Sequence, residues 1–386
     1  MSFIFNLLIV LITLSVPMAR ADTLSNADVL FKFAEHSYPE LFIPANPPTQ
    51  AIEGYYVRHY TDASIYLGVY GNQVHVYGPE NAWVVANYGS AISYVGKLSE
   101  FVALSQSNIS NAVLNSRRPQ CSYYADTVFS EVVDIKRGIA FNGALEISID
   151  GDYCVFRTNS IPNHDFNDST ASFATNVSRV QAEFRVPVRP VFASQNTSVS
   201  LQTDNAILLN GVKVDILAAA CFGVGNGKIG CNDMAQPWRY DPMSPLNSFG
   251  TDRHNAHTQP DGNYHYHGNP GVLFEQTANV ESPVVGFSAD GFPVYGSYIE
   301  ENGQVRAVAS SYRLKPGARP GGTGSPGGNY DGRYVDDYEY VAGSGDLDEC
   351  NGMNRNGSYG YYVINAYPWI LACYKGTPGP SFNKGR

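Results

Sequence analysis

Residues 144–158 read ALEISIDGDYCVFRT. Two runs in which apolar side chains alternate with polar ones are separated by Asp150-Gly151. A strand turns successive side chains to opposite faces, so a period of two marks a half-buried strand, and a DG pair supplies the left-handed backbone of a tight hairpin. The pattern recurs at 198–217, SVSLQTDNAILLNGVKVDIL, around Asn210-Gly211, and at 282–299, SPVVGFSADGFPVYGSYI, around Asp290-Gly291. Residues 357–376, GSYGYYVINAYPWILACYKG, return to aromatic strand composition after a Gly/Pro-rich loop at 316–332. There is no alternating βα rhythm and no internal repeat. With 37 Gly, 27 Tyr and 23 Pro and only 16% charged residues, the composition suits strands joined by tight turns. The expected class is mainly β, with the C-terminal domain an antiparallel sandwich or a barrel-like sheet pair.

The segments ahead of this region differ in kind. Residues 1–21 carry an apolar run, Phe3 to Val16, too short for a comfortable membrane span, and then Ala19-Arg20-Ala21, a small-x-small cleavage pattern. They read as a signal peptide, so the chain is expected to be exported, to a periplasmic, extracellular or cell-surface location, with no integral span once the leader is removed. Residues 22–104 read as a small α+β module. Asn26 caps a helix with a stripe of Val29, Leu30 and Phe33, and GYYVRHYTDASIYLGVYGNQVHVYGP (54–79) turns twice as a three-stranded meander. Residues 105–120 are polar and aperiodic, the pattern of a linker, and the β domain then runs over 121–386.

Charge and cysteines narrow the setting. A net charge of -10 without a basic run excludes a nucleic-acid partner, since phosphate binding needs clustered Lys and Arg. The six cysteines are even in number and include no CxxC pair. In an exported chain they are expected as disulfides, paired between neighbours as Cys121–Cys154, Cys221–Cys231 and Cys350–Cys373. The Gly-rich stretch GVGNGKIG (223–230) lacks a following helix and reads as a loop closed by the second of these pairs.

The chemistry concentrates in one window. Of eight histidines, four, His254, His257, His265 and His267, lie between positions 254 and 267. On a strand, His265 and His267 project from the same face, about 7 Å apart at Cα, close enough for their imidazoles to meet at one ion. Tyr264 and Tyr266 then face the other way. The turn at Gln259-Pro260-Asp261-Gly262 folds His257 back as a third ligand. Neutral imidazole suits Zn, Cu, Fe or Ni, and copper or zinc is the expected cofactor. His254 and the turn residue Asp290 are further candidates for the metal. Asp348 and Glu349 in DLDECNG fail the spacing of a calcium loop. His75 alternates with Val74 and Val76 and reads as a strand-surface residue. There is no phosphate loop, GxSxG or HExxH.

Two resemblances follow from these strings. YPELF, GYYVRHY, YLGVYGNQVHVYG and VGKLSEF together resemble a short module at the front of many exported bacterial proteins. GTDRHNAHTQPDGNYHYHG (250–268), followed by GFSADGFPVYG and LDECNG, resembles the YHYH domain family of exported proteins over about residues 121–380. That resemblance implies a shared site rather than a particular reaction. Members of the family often carry a second histidine in a Y-H-Y-Y string near the C-terminus, where this chain has Tyr359-Gly360-Tyr361-Tyr362. Two functional readings remain open. One is a secreted metalloprotein, an oxidoreductase or hydrolase acting on a small molecule, with one ion at His257, His265 and His267. The other is a non-catalytic surface or binding module whose aromatic and histidine side chains form a structural cluster.

Overall fold

The computed structural model describes residues 107–384, and ahead of them the backbone of four short strands. Those strands, Gln50–Ile52, Tyr55–His59, Tyr66–Tyr70 and Gln73–Tyr77, form one antiparallel sheet in chain order. The expected meander is there, with one more strand at its front. The signal segment and the module's expected helix lie outside the described residues.

Residues 108–386 form a compact unit of their own. Two sheets dominate it. One has five strands in chain order: Ser107–Asn108, Asp126–Asp134, Ile139–Asp150, Tyr153–Thr158 and Ala182–Pro187. The other has eight, ordered Ala256–Thr258, Tyr264–Tyr266, Lys213–Val214, Ala206–Leu208, Val284–Ser288, Pro293–Tyr295, Ser358–Tyr362 and Gly352–Arg355. All three expected hairpins form. Asp150 pairs with Tyr153, Ala206 with Val214, and Phe287 with Pro293. Their glycines, Gly151, Gly211 and Gly291, all have positive φ, which favours glycine over any residue with a Cβ.

The class is thus mainly β, with two departures from the expected form. Neither sheet closes into a barrel. The larger sheet is mixed rather than antiparallel, because Lys213–Val214 runs parallel to Tyr264–Tyr266 and Pro293–Tyr295 parallel to Ser358–Tyr362. Parallel neighbours need long crossovers, and here the crossovers are built of loops and short strands, with one 3-10 turn at Val335–Asp337, rather than α-helices. The two sheets share one hydrophobic core that includes Phe156, Phe184, Phe287, Tyr264, Tyr266 and Tyr361. Among the described residues no helix is long and apolar enough to cross a membrane.

The three cysteine pairs are the neighbouring ones, with Cα separations of 6.2, 5.6 and 4.5 Å. No described cysteine is free.

The linker reading does not describe residues 108–120. Ile109 N–H donates to the Phe129 carbonyl at 2.8 Å and Leu114 N–H to that of Leu273 at 2.8 Å. Asn163 Nδ2 donates to the carbonyls of Ile109 and Ala112. Leu114 packs against the core, and Arg117 pairs with Glu281 at 3.1 Å while its guanidinium lies over the Tyr295 ring. Polar composition hid this because the segment is fixed mainly through its backbone. A protein beginning at residue 121 should therefore melt about 5 °C or more below one beginning at residue 105, and equal melting temperatures by calorimetry would restore the linker reading.

Candidate functional site

The site is built by three adjacent strands at one end of the eight-stranded sheet. Ala256–Thr258 and Tyr264–Tyr266 form an antiparallel hairpin in which His257 stands directly opposite His265. The connecting turn is closed by Gln259 N–H to the Asn263 carbonyl and by Gly262 N–H to the Gln259 carbonyl, both 2.9 Å. Gly262 sits at φ +84°, and a Cβ there would meet Ser178 Oγ and come within 2.8 Å of the Asn176 carbonyl. Only glycine fits, and the turn does fold His257 back. One residue past the strand, His267 N–H bonds to the Asn255 carbonyl and extends the ladder.

The alternation sorts the window by face. His265, His267 and His257 converge, with His267 Nε2 3.0 Å from His257 Nε2 and 3.1 Å from His265 Nε2. Each ring is fixed by its other nitrogen: His257 Nδ1 to the Phe249 carbonyl at 2.7 Å, His265 Nδ1 to that of Asn263 at 3.2 Å, and His267 Nδ1 to that of Ile216 at 3.4 Å. A carbonyl only accepts, so each Nδ1 carries the hydrogen and each Nε2 presents a lone pair. Burial holds all three imidazoles below their usual basicity, His265 and His267 strongly so, with neighbouring histidines adding to the effect on those two. Among the described residues, these three are the one group of His, Cys, Asp or Glu able to hold a metal ion, their ligand atoms all within 4.8 Å of one another.

The triad lines a cleft of about 970 Å³. On the same sheet face the parallel strand brings Lys213 beside His265. Lys213 Nζ donates to Asp204 at 3.0 and 3.1 Å and to Gln259 Oε1 at 3.0 Å. Gln259 Nε2 donates in turn to Asp215 Oδ2 at 2.7 Å, which also receives Lys384 Nζ at 2.5 Å. Sequence reading missed this network. Its one local signal is the alternation Lys213-Val214-Asp215 just after the NG turn, which mirrors His265-Tyr266-His267.

The tyrosines point the other way into a second polar cluster. Tyr264 OH donates to Asp252 Oδ2 at 2.9 Å, and Tyr266 OH donates to His164 Nε2 at 2.6 Å while accepting from Asn210 Nδ2 at 3.0 Å. His164, which no motif marks, packs against His254 with ring centroids 4.1 Å apart and planes tilted by 44°. His254 is thereby placed away from the triad, its Nδ1 on the Pro270 carbonyl at 3.1 Å. Asp290 is not brought to the triad either. It is buried in its hairpin turn, accepting from Tyr361 OH at 2.6 Å, Gly376 N–H at 2.9 Å and Ser288 Oγ. Asp348 and Glu349 pair with Lys375 at 3.2 and 2.7 Å, and Asp348 also caps the backbone N–H of Cys350 and Gly352. Gly360, in the Tyr359-Gly360-Tyr361-Tyr362 string, has no room for a larger side chain, since a Cβ there would meet the Tyr295 ring.

Fold and site together define a β protein with a three-histidine cluster at the wall of a cleft. The profile of the family described as YHYH protein matches residues 183–376, and the chain belongs to that family. The match takes in the histidine hairpin, Lys213, Asp215 and the Cys350–Cys373 pair, and leaves out most of the five-stranded sheet. No curated protein and no solved structure matches the chain.

The buried histidines make acid stability a direct test of this geometry. Burial, and next the neighbouring His254, push His164 down to about 3. An unfolded histidine takes up its proton near pH 6.5, so below that pH the unfolded chain binds the extra proton and folding stability declines until the pH approaches 3. At pH 5 one such group costs about 2 kcal/mol. Urea unfolding of the wild type at pH 7 and pH 5 should show a loss of at least this size, and His164→Gln should reduce the difference by about 2 kcal/mol. A wild-type stability independent of pH over this range would show that these imidazoles are not buried and neutral.

Proposed function

We propose that this chain is an exported metal-binding protein in which His257, His265 and His267 hold one transition-metal ion, zinc or copper, through their Nε2 atoms. The observation that carries the reading is the convergence of three Nε2 lone pairs whose rings already commit the Nδ1 hydrogen to a carbonyl. Three acceptors facing one another repel, and a donor hydrogen or a cation between them relieves it. Burial, the neighbouring histidines and the Lys213 ammonium disfavour an extra proton at His265, which favours a cation. Fixing a ligand ring by a hydrogen bond from its other nitrogen is the usual outer-shell arrangement of a histidine metal site. A tetrahedral ion with bonds of about 2.0 Å sets its ligands about 3.3 Å apart, close to the 3.0 and 3.1 Å separations here.

Three protein ligands leave a coordination position free, and the triad borders the cleft. That arrangement matches sites that bind an exogenous ligand better than closed structural ones. An ion held there supplies a Lewis acid and activates a bound water. The protein's part is to fix three neutral imidazoles and shape the space beside them. The leader-like residues 1–21 and the three cysteine pairs support export, because disulfides persist in oxidising compartments.

Protein without a polyhistidine tag should bind one equivalent of Zn(II) or Cu(II) in calorimetry. His265→Ala or His267→Ala should abolish stoichiometric binding, His257→Ala should weaken it by more than about tenfold, and His254→Gln should leave it unchanged. A full equivalent bound with unaltered affinity by His265→Ala/His267→Ala would place the ion elsewhere. No binding by the wild type would leave the structural-cluster reading standing.

The pH profile has a defined sign. Because burial lowers the basicity of the triad, proton competition should set in below pH 6.5, the ordinary histidine value. Half-loss of Zn(II) binding at or above pH 6.5 would mean that the imidazoles are solvated.

A further inference from the structure

We propose that Asp215 determines which ligand the triad's ion accepts: its free carboxylate oxygen takes a hydrogen bond from whatever occupies the open coordination position. The site is thereby selective for ligands that carry an O–H or N–H next to the coordinating atom, such as water, an alcohol or an N–H heterocycle, and against anions that only accept. The inference rests on the metal reading above and deepens it.

The argument begins with the register. Lys213 pairs with His265 and Val214 with Tyr266, and Asp215 N–H extends the ladder to the Tyr266 carbonyl at 2.9 Å. Alternation therefore sets Asp215 on the histidine face while Val214 is fully buried on the other. Asp215 lines the same cleft as the triad, and its charge acts on His257. It is outside the group whose ligand atoms all lie within 4.8 Å of one another, so it is a neighbour of the ion rather than a fourth ligand.

Its two oxygens differ. Oδ2 is occupied by Gln259 Nε2 and Lys384 Nζ. Oδ1 is buried and accepts no hydrogen bond. An unpaired buried carboxylate oxygen is costly. The cations in reach do not relieve it. The three hydrogens of Lys213 go to the two oxygens of Asp204 and to Gln259, while Lys384 is on Oδ2. The side chain is fixed through Oδ2 by partners that are themselves held, so Oδ1 stays out of solvent. Only 5% of the residue is exposed. No protein donor is left for Oδ1, and a metal-bound ligand with a polarised hydrogen is a strong one.

The test uses the full-length protein loaded with Co(II), whose visible spectrum reports ligand exchange at the ion, titrated with azide (an anion that only accepts) and with pyrazole (whose N–H adjoins the coordinating nitrogen). The Asp215→Asn variant should retain one equivalent of Co(II), bind azide about tenfold more tightly and pyrazole more weakly than the wild type. Unchanged affinities for both ligands in a variant that holds Co(II) would overturn the role of Asp215 while leaving the metal site standing. Failure of the wild type to bind Co(II) at all would overturn the metal reading, and this proposal with it. If Asp215→Asn does not fold, the wild type still decides. Its ratio of pyrazole to azide affinity should exceed that of Co(II) bound by three free imidazoles in water, and a ratio no higher would overturn the proposal.

Discussion

The site is organised around the pleat of one short strand, Tyr264–Tyr266. Its period of two places Tyr264 and Tyr266 on one face and His265 and, one residue on, His267 on the other. The pleat is held from the tyrosine side. Both phenols are fully buried, and each hydroxyl is anchored, Tyr264 to Asp252 and Tyr266 to His164 and Asn210. A slip of the register by one residue would send two phenols into the polar cleft and two imidazoles into the core, leaving Asp252 and Asn210 without these partners. The aromatic cluster and the histidine cluster are thus not alternative explanations of the window. The first fixes the orientation of the second.

This constraint explains how much of the molecule was legible in the sequence. The three hairpins were readable because DG and NG turns are local, and a glycine at positive φ leaves its mark at the position itself. The fold-back of His257 was readable for the same reason, through Gln259-Pro260-Asp261-Gly262. The mixed order of the large sheet was not, because nothing local specifies that Lys213–Val214 runs parallel to a strand some fifty residues later. The Lys213 and Asp215 network was hidden by the same long crossover. His164 was hidden more completely, since it reaches Tyr266 from the irregular segment after the five-stranded sheet's third hairpin strand. Residues 108–120 were misread because polarity describes side chains, and their attachment is largely through backbone N–H and C=O groups.

The acidic candidates fail for a shared physical reason. Asp290 is as buried as His265 and His267, but its oxygens are already occupied by Tyr361, Gly376 and Ser288. Asp348 is likewise engaged with its own turn, Tyr359 and Lys375. A carboxylate whose acceptor sites are filled by fixed donors has no capacity left for an ion, whatever its spacing in the sequence. What separates a ligand from a structural polar group is its remaining capacity, which depends on the other side of the fold and is invisible in a linear pattern.

The cleft beside the triad gathers several groups with capacity left. Elsewhere in the core, long-range pairs such as Tyr361 with Asp290 and Asn205 with Tyr374 match polar groups, while Asn167 Oδ1, Ser297 Oγ and Asn351 Oδ1 are buried singly without a partner. On the histidine face, three Nε2 acceptors point at one another and Asp215 Oδ1 has no donor, although Gln259 and Lys384 both reach the same carboxylate at Oδ2. Buried polar groups are almost always paired, and local conflicts in an otherwise consistent fold mark the positions kept for something other than stability. Four unsatisfied acceptors gathered on one sheet face call for a cation and a hydrogen donor together. The ion with a protic ligand that we propose there would supply both.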